Sequence, residues 1–179
     1  KHGVSTANIS TQRDRVLHGI GQGNGGGPAI WISHLTVMFK ALSAVCWGFM
    51  LTCVQKVTNI TTVGTGYVDD VTLGLSVPTA QPQTEQVVYK HIKRMGQLWE
   101  QLLYITGGRL ELSKCFWIPV SWKWNNGKPR MRTKPSRTRE LYLIESETRE
   151  KCLIPRKTGN CVEKRLGIYS ACDGKWTRE

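Results

Sequence analysis

Two adjacent carboxylates, Asp69 and Asp70, lie in "GTGYVDDVTLGL" at residues 64 to 75, a run that otherwise reads as a buried strand turning back on itself. One charge near a core is costly, and two like charges side by side are costlier unless cations or solvent offset them. A carboxylate pair on a tight hairpin offers oxygen ligands to Mg²⁺, which takes one or two carboxylates and completes its shell with water and phosphate oxygens. Two such ions about 4 Å apart stabilise both the attacking and the leaving oxygen of an in-line displacement at phosphorus. A solvated Asp-Asp turn is the competing reading of the same spacing.

A second constellation lies upstream. "GIGQGNGGGPAIW", Gly19 to Trp31, joins a glycine-rich loop to a helix start, where backbone N–H groups and the helix dipole favour anions. Glycines let a base or ribose approach the backbone, and the Gln22 amide both donates and accepts. No Lys-Ser/Thr follows, so this is not a P-loop, and no G-x-G-x-x-G opens a βαβ unit. A flexible linker is the alternative.

Taken together, "QGNGGGPAIW", "GYVDD", "TGGRLELSKCFW" and "RLGI" resemble the palm of a retrotransposon-type reverse transcriptase, an RNA-directed DNA polymerase. In that family a Q-G-x-x-x-S-P segment precedes a [YF]-x-D-D hairpin, a G-x-x-x-x-x-x-K segment and an L-G segment. The first three match in order and spacing over residues 19 to 118. The resemblance implies that Asp69 is a ligand of catalytic Mg²⁺, with Mn²⁺ as a substitute, and that Asp70 supports it. It implies that Tyr67 packs beneath the primer end and that Gln22 and Gly23 line the template and nucleotide pocket. Lys114 would sit near the triphosphate and protonate the departing pyrophosphate, and Leu166 and Gly167 would form the primer grip. The plain alternatives are a core-filling Tyr67, a Lys114 that solvates a strand end, and an ordinary strand at Leu166 to Ile168.

The family's third carboxylate, in an upstream D-x-x-x-x-[FY] motif, has no counterpart. Asp14, the sole acid before the loop, stands only eight residues before Gln22 and is rejected. The finger region is also absent, and Lys1 is no natural start. The chain is therefore expected to be catalytically incomplete alone, as a degenerate copy or as the C-terminal part of a longer polyprotein that supplies the missing fingers and palm segment. Gly27 also stands where the family often has Ser before Pro28. The implied function is primer extension on an RNA or DNA template with deoxynucleoside triphosphates. The alternative is a non-catalytic nucleic-acid-binding module derived from a palm.

These residues need positioning elements. A buried helix is expected from Pro28 to about Gln55, with Gly48 its weak point, followed by a hairpin over Asn59 to Ser76 carrying the Asp pair at its turn. A second helix is expected from an N-cap at Thr84, with the stripe Val88, Ile92, Met95, Trp99, Leu102 and Leu103 and a stop at "TGG". "RLELSKCFWIPVSWKW" alternates as one or two strands, "NNGK" signals a hairpin turn, and short strands follow to the end. The expected class is α+β: a palm-like antiparallel sheet packed on helices over residues 1–118, with a basic, strand-rich extension over 119–179 leading toward a thumb. No internal repeat is visible. Trp117, Trp122 and Trp124 are read as strand-packing residues, with base stacking as the other possibility.

The 179 residues carry a net charge of +12, unevenly spread. Residues 1–100 hold 8 Lys or Arg against 5 acids and residues 101–179 hold 17 against 8, so the second half is the one built to meet polyanions. The basic run Lys128, Arg130, Arg132, Lys134, Arg137 and Arg139 falls there. Cys46, Cys53, Cys115, Cys152, Cys161 and Cys172 show no C-x-x-C spacing, and His2, His18, His34 and His91 are not interleaved with them as zinc ligands would be. No secretory h-region is present, and "ALSAVCWGFMLTCV" at 41–54 is too short to span a bilayer. An intracellular, reducing compartment, cytoplasm or nucleus, with no membrane partner is the expectation.

Overall fold

A computed structural model describes residues 26–53, 55, 58–67, 70–77, 85–131, 139–165, 168–170 and 176–177. They form a mixed α+β chain with two helices and short antiparallel strand pairs, in two compact units: 1–76 with 101–109, and 77–100 with 110–179.

The first unit is built on helix α1, Gly27–Val45, with Pro28 in its first turn. Leu35, Met38 and Leu42 supply its buried stripe. The helix stops ten residues short of the Gln55 expected from apolar spacing. Cys46 turns extended, and "FMLT" becomes strand β1, Phe49–Thr52, paired antiparallel with β2, Asn59–Thr62. Gly48 explains the change, because a Cβ there would lie 2.4 Å from the Thr62 carbonyl oxygen, a contact only a side-chain-free residue permits. β2 is thus drawn out of the expected 59–76 hairpin. That hairpin is shorter, β3 Gly64–Tyr67 against β4 Asp70–Leu73. Gly74 N–H donates to Val63 C=O at 2.9 Å and Ser76 N–H to Gly48 C=O at 2.9 Å, tying the two strand pairs around the buried Val63.

α1 is also less buried than its composition suggested: Ile32 is 62% and Val37 67% exposed. Ser33, Thr36 and Ser43 donate to carbonyls three or four residues back, and His34 Nδ1 lies 2.9 Å from Ile30 O, so its polar side chains are spent on its own backbone. By length and composition alone α1 is long and apolar enough to cross a membrane.

Helix α2, Glu85–Ile105, has residues 85–100 in the second unit and 101–105 in the first. Met95, Trp99 and Leu103 recur every fourth residue and are buried. "TGG" ends it: Gly107 adopts φ +82°, its N–H donates to Tyr104 C=O, and Gly108 N–H donates to Leu103 C=O at 2.9 Å, the paired bonds of a Schellman stop.

Beyond it, of the one or two strands expected across "RLELSKCFWIPVSWKW" one forms, at Trp122–Asn125, while "RLELSKCFW" does not form a strand. Leu112–Lys114 is a 3₁₀ turn and Trp117 makes a single bridge to Arg156. The reason is local. Leu112 joins the second unit's core, while Ser113 Oγ donates to the Glu111 carboxylate at 2.5 Å and so favours a turn. Strands β5, Trp122–Asn125, and β6, Lys128–Met131, form a hairpin across Asn126 and Gly127, both at positive φ as a two-residue turn requires. β7, Leu141–Ile144, pairs with β8, Lys151–Ile154, and Leu141, Leu143 and Ile154 meet Leu112 in the core. Three short strands follow, β9 Glu163–Arg165, β10 Ile168–Ser170 and β11 Trp176–Thr177, with β10 central.

α2 is fastened to the β7–β8 pair by polar groups. The Gln97 side-chain amide donates to Ile144 C=O and accepts from Ile144 N–H, both at 2.8 Å. The buried Glu100 carboxylate accepts from Ser146 N–H at 2.7 Å and Ser146 Oγ at 2.6 Å, and Tyr89 Oη donates to Glu140 C=O at 2.6 Å. These bonds satisfy an acid that would otherwise be costly to bury.

Candidate functional site

The β3–β4 register places Gly64 opposite Leu73, Thr65 opposite Thr72, Gly66 opposite Val71 and Tyr67 opposite Asp70. Tyr67 and Asp70 are therefore the last described pair before the turn. Both are exposed, Tyr67 by 61%, so its ring does not fill the core. Asp69 lies outside the described residues.

The hairpin is seated on α1 through glycines. A Cβ at Gly66 would come 2.5 Å from Leu35 Cδ2, and one at Gly64 would come 3.1 Å from Phe39 Cε1. Along β3 the chain thus passes from Phe39 toward Leu35. Two strand residues advance about 6.7 Å and four helical residues about 6 Å, so the steps match and β3 runs antiparallel to α1. Tyr67 and Asp70, which follow Gly66 along the hairpin, thus lie beyond the Leu35 contact, on the side of the N-terminal half of α1.

At the N-terminal end of α1 Gly26 occupies the N-cap and no acid stands in the first turn, so the helix dipole there is not offset by a carboxylate of the turn. Gln22 precedes Gly27 by five residues in sequence. Gln22 and Gly23 themselves, like Asp14, lie outside the described residues, as do Leu166 and Gly167 of the expected grip.

Lys114 closes the 3₁₀ turn and is exposed, its N–H donating to Glu111 C=O at 3.1 Å. It does not sit at a strand end. It belongs to the second unit, whereas Asp70 belongs to the first. Among the described residues no three His, Cys, Asp or Glu side chains form a group able to hold a metal ion. An ion here would have to be held by the Asp69–Asp70 pair with water and phosphate oxygens, a donor set that Mg²⁺ accepts.

The tryptophans divide. Trp117 is half-buried, with Tyr89 edge-on at 6.4 Å and the Arg156 guanidinium 5.0 Å above its ring, a structural cluster. Trp122 and Trp124 are 56% and 74% exposed, so their reading as strand-packing residues is corrected. The sequence "WKWNNGK" shows that period-two spacing puts both rings on one face of a hairpin, but not whether another element covers that face.

The described cysteines Cys46, Cys53, Cys115, Cys152 and Cys161 are free of disulfides. Burial, and secondarily the Glu111 charge, pushes the Cys115 thiol pKa above its ordinary range. Comparison with protein-family models, with curated proteins and with solved structures gives no match to this chain.

Proposed function

We propose that the chain is the C-terminal part of a reverse-transcriptase palm, which with its missing upstream segment extends a primer by metal-assisted nucleotidyl transfer on an RNA or DNA template. The observation that carries the reading is the seating of the Tyr67–Asp70 hairpin end on the side of the N-terminal half of α1, the helix that follows the Gln22–Gly23 loop. The order of the "QGNGGGP", "YVDD" and "GGRLELSK" motifs supports it independently.

In this reading Asp69 and Asp70 hold Mg²⁺, which when bound offsets charge on the triphosphate and favours attack of the primer 3′-hydroxyl on the α-phosphate. The exposed Tyr67 ring bears on the primer end. Gln22 and Gly23 orient the incoming nucleotide against backbone N–H groups. The resemblance assigns Lys114 to the departing pyrophosphate and Leu166 and Gly167 to the primer; all three belong to the second unit. Without the third carboxylate, chemistry by the isolated chain is not expected, whereas metal-dependent nucleotide binding is.

The test is titration of a fluorescent deoxynucleoside triphosphate in Mg²⁺. Binding should weaken about tenfold or more in Asp69→Asn, the loss expected when a charge-assisted contact goes. Binding that ignores both Mg²⁺ and Asp69→Asn contradicts the reading. Primer extension by the isolated chain that vanishes in Asp69→Asn would overturn only the claim of incompleteness.

A second reading, a non-catalytic nucleic-acid-binding module, is favoured by the excess of cations in residues 101–179. It differs in one outcome: Asp69→Asn would leave nucleic-acid affinity unchanged or raise it by removing negative charge.

A further inference from the structure

The β5–β6 hairpin presents two chemically distinct faces. Cross-strand partners share a face, so Trp122 with Met131 and Trp124 with Pro129 form one side, while Lys123 with Arg130 and Asn125 with Lys128 form the other. All of these are exposed except Met131, which is half-buried. Two large indoles lying open on a two-stranded ribbon cost solvation that the fold does not recover.

We infer that this hairpin is a binding site for single-stranded nucleic acid, in which Trp122 and Trp124 stack on bases on one face while the long side chains of Lys123, Lys128 and Arg130, rooted on the other, reach round the edges of the two-stranded ribbon to the phosphates. Alternate residues on a strand stand about 6.7 Å apart. That is close to two stacking gaps of about 3.4 Å, so the two indoles can hold one base between them. Charge complementarity identifies the occupant. From Cys115 to Arg139 the chain carries Lys123, Lys128, Arg130, Arg132, Lys134, Arg137 and Arg139 and no acid. An anionic membrane would also attract these cations, but a ribbon that enters a bilayer leads with an apolar tip, and this tip is Asn125, Asn126, Gly127 and Lys128. An unstacked base offers a flat face to each ring regardless of sequence.

The inference deepens the nucleic-acid side of the proposed function and needs none of its metal chemistry. The full chain is titrated by anisotropy with a labelled twelve-nucleotide oligo(dT), and with an abasic strand of equal length, at about 50 and about 200 mM salt. Trp122→Ala/Trp124→Ala should bind oligo(dT) about tenfold or more weakly, and Trp122→Phe/Trp124→Phe should recover most of the loss. The abasic strand should bind the wild type as weakly as oligo(dT) binds the alanine variant. Replacing Lys123, Lys128 and Arg130 by Gln should reduce the salt slope by about 2.

An alanine variant within twofold of wild type overturns the site, as does tight binding of the abasic strand. So does a Trp122- and Trp124-dependent blue shift on phosphatidylserine vesicles without any change for oligo(dT), which would assign the hairpin to a membrane surface. Because the two side chains are exposed, loss of fold is not expected, and the Phe variant separates stacking from structure. The hairpin is read from oligo(dT) binding without divalent ions and the polymerase reading from Mg²⁺-dependent binding of a deoxynucleoside triphosphate, so failure of the one and failure of the other register separately.

Discussion

Asp70 faces solvent, and so does its cross-strand neighbour Tyr67, whose ring lies open where a structural tyrosine would be covered. That exposure leaves the carboxylate available to a ligand and limits what its removal costs the fold. Asp70→Asn should change stability by no more than about 0.5 kcal/mol, measured by urea unfolding, whatever it does to metal binding. Cys115 behaves in the opposite way. Its pKa is raised, so the folded state holds the thiol proton more tightly than the unfolded chain does. The resulting stabilisation is present below the ordinary thiol pKa of about 8.5 and is lost as pH rises through the higher folded value. Alkylation of Cys115 should therefore lag that of the exposed Cys53 at pH about 8.5, with mass spectrometry of the labelled chain as the check.

At the scale of elements, glycines decide where the chain turns and what it leans on. Gly48→Ala should destabilise by about 1–3 kcal/mol in urea unfolding, since its Cβ would meet the Thr62 backbone oxygen, which cannot move aside as a side chain can. Leu42→Ala should cost about 2–5 kcal/mol, as Leu42 is the most completely buried side chain of α1. The same contacts explain what the sequence made legible. Local chemistry was readable: the "NNGK" turn, the "TGG" stop, the α2 stripe and the close of a hairpin at the Asp pair all rest on neighbours a few residues apart. Non-local contacts were not. The apolar run after Val45 fits helix and strand equally, and only the approach of Thr62 to Gly48 makes it β1. Alternation in "RLELSKCFW" imitated a strand because Leu112 is drawn to a core supplied by β7 and β8, whose residues lie some thirty to forty positions later.

At the scale of the whole molecule, the chain divides its chemistry between two units. The first carries the acidic hairpin on α1, and the second carries the basic ribbon β5–β6 and the core built around Leu141, Leu143 and Ile154. A net charge of +12 concentrated toward the second half suits a polyanion held by that half. The central claim is that Asp69 and Asp70 tolerate each other because a divalent ion and a nucleotide share their pocket with the Gln22–Gly23 loop. Amide NMR with substoichiometric Mn²⁺ tests it most directly, since paramagnetic broadening marks what lies near the ion. The account predicts selective loss of the Gln22, Gly23, Tyr67, Asp70 and Val71 signals, abolished by Asp69→Asn. Broadening that spares either the loop or the hairpin, or that survives the substitution, would contradict it.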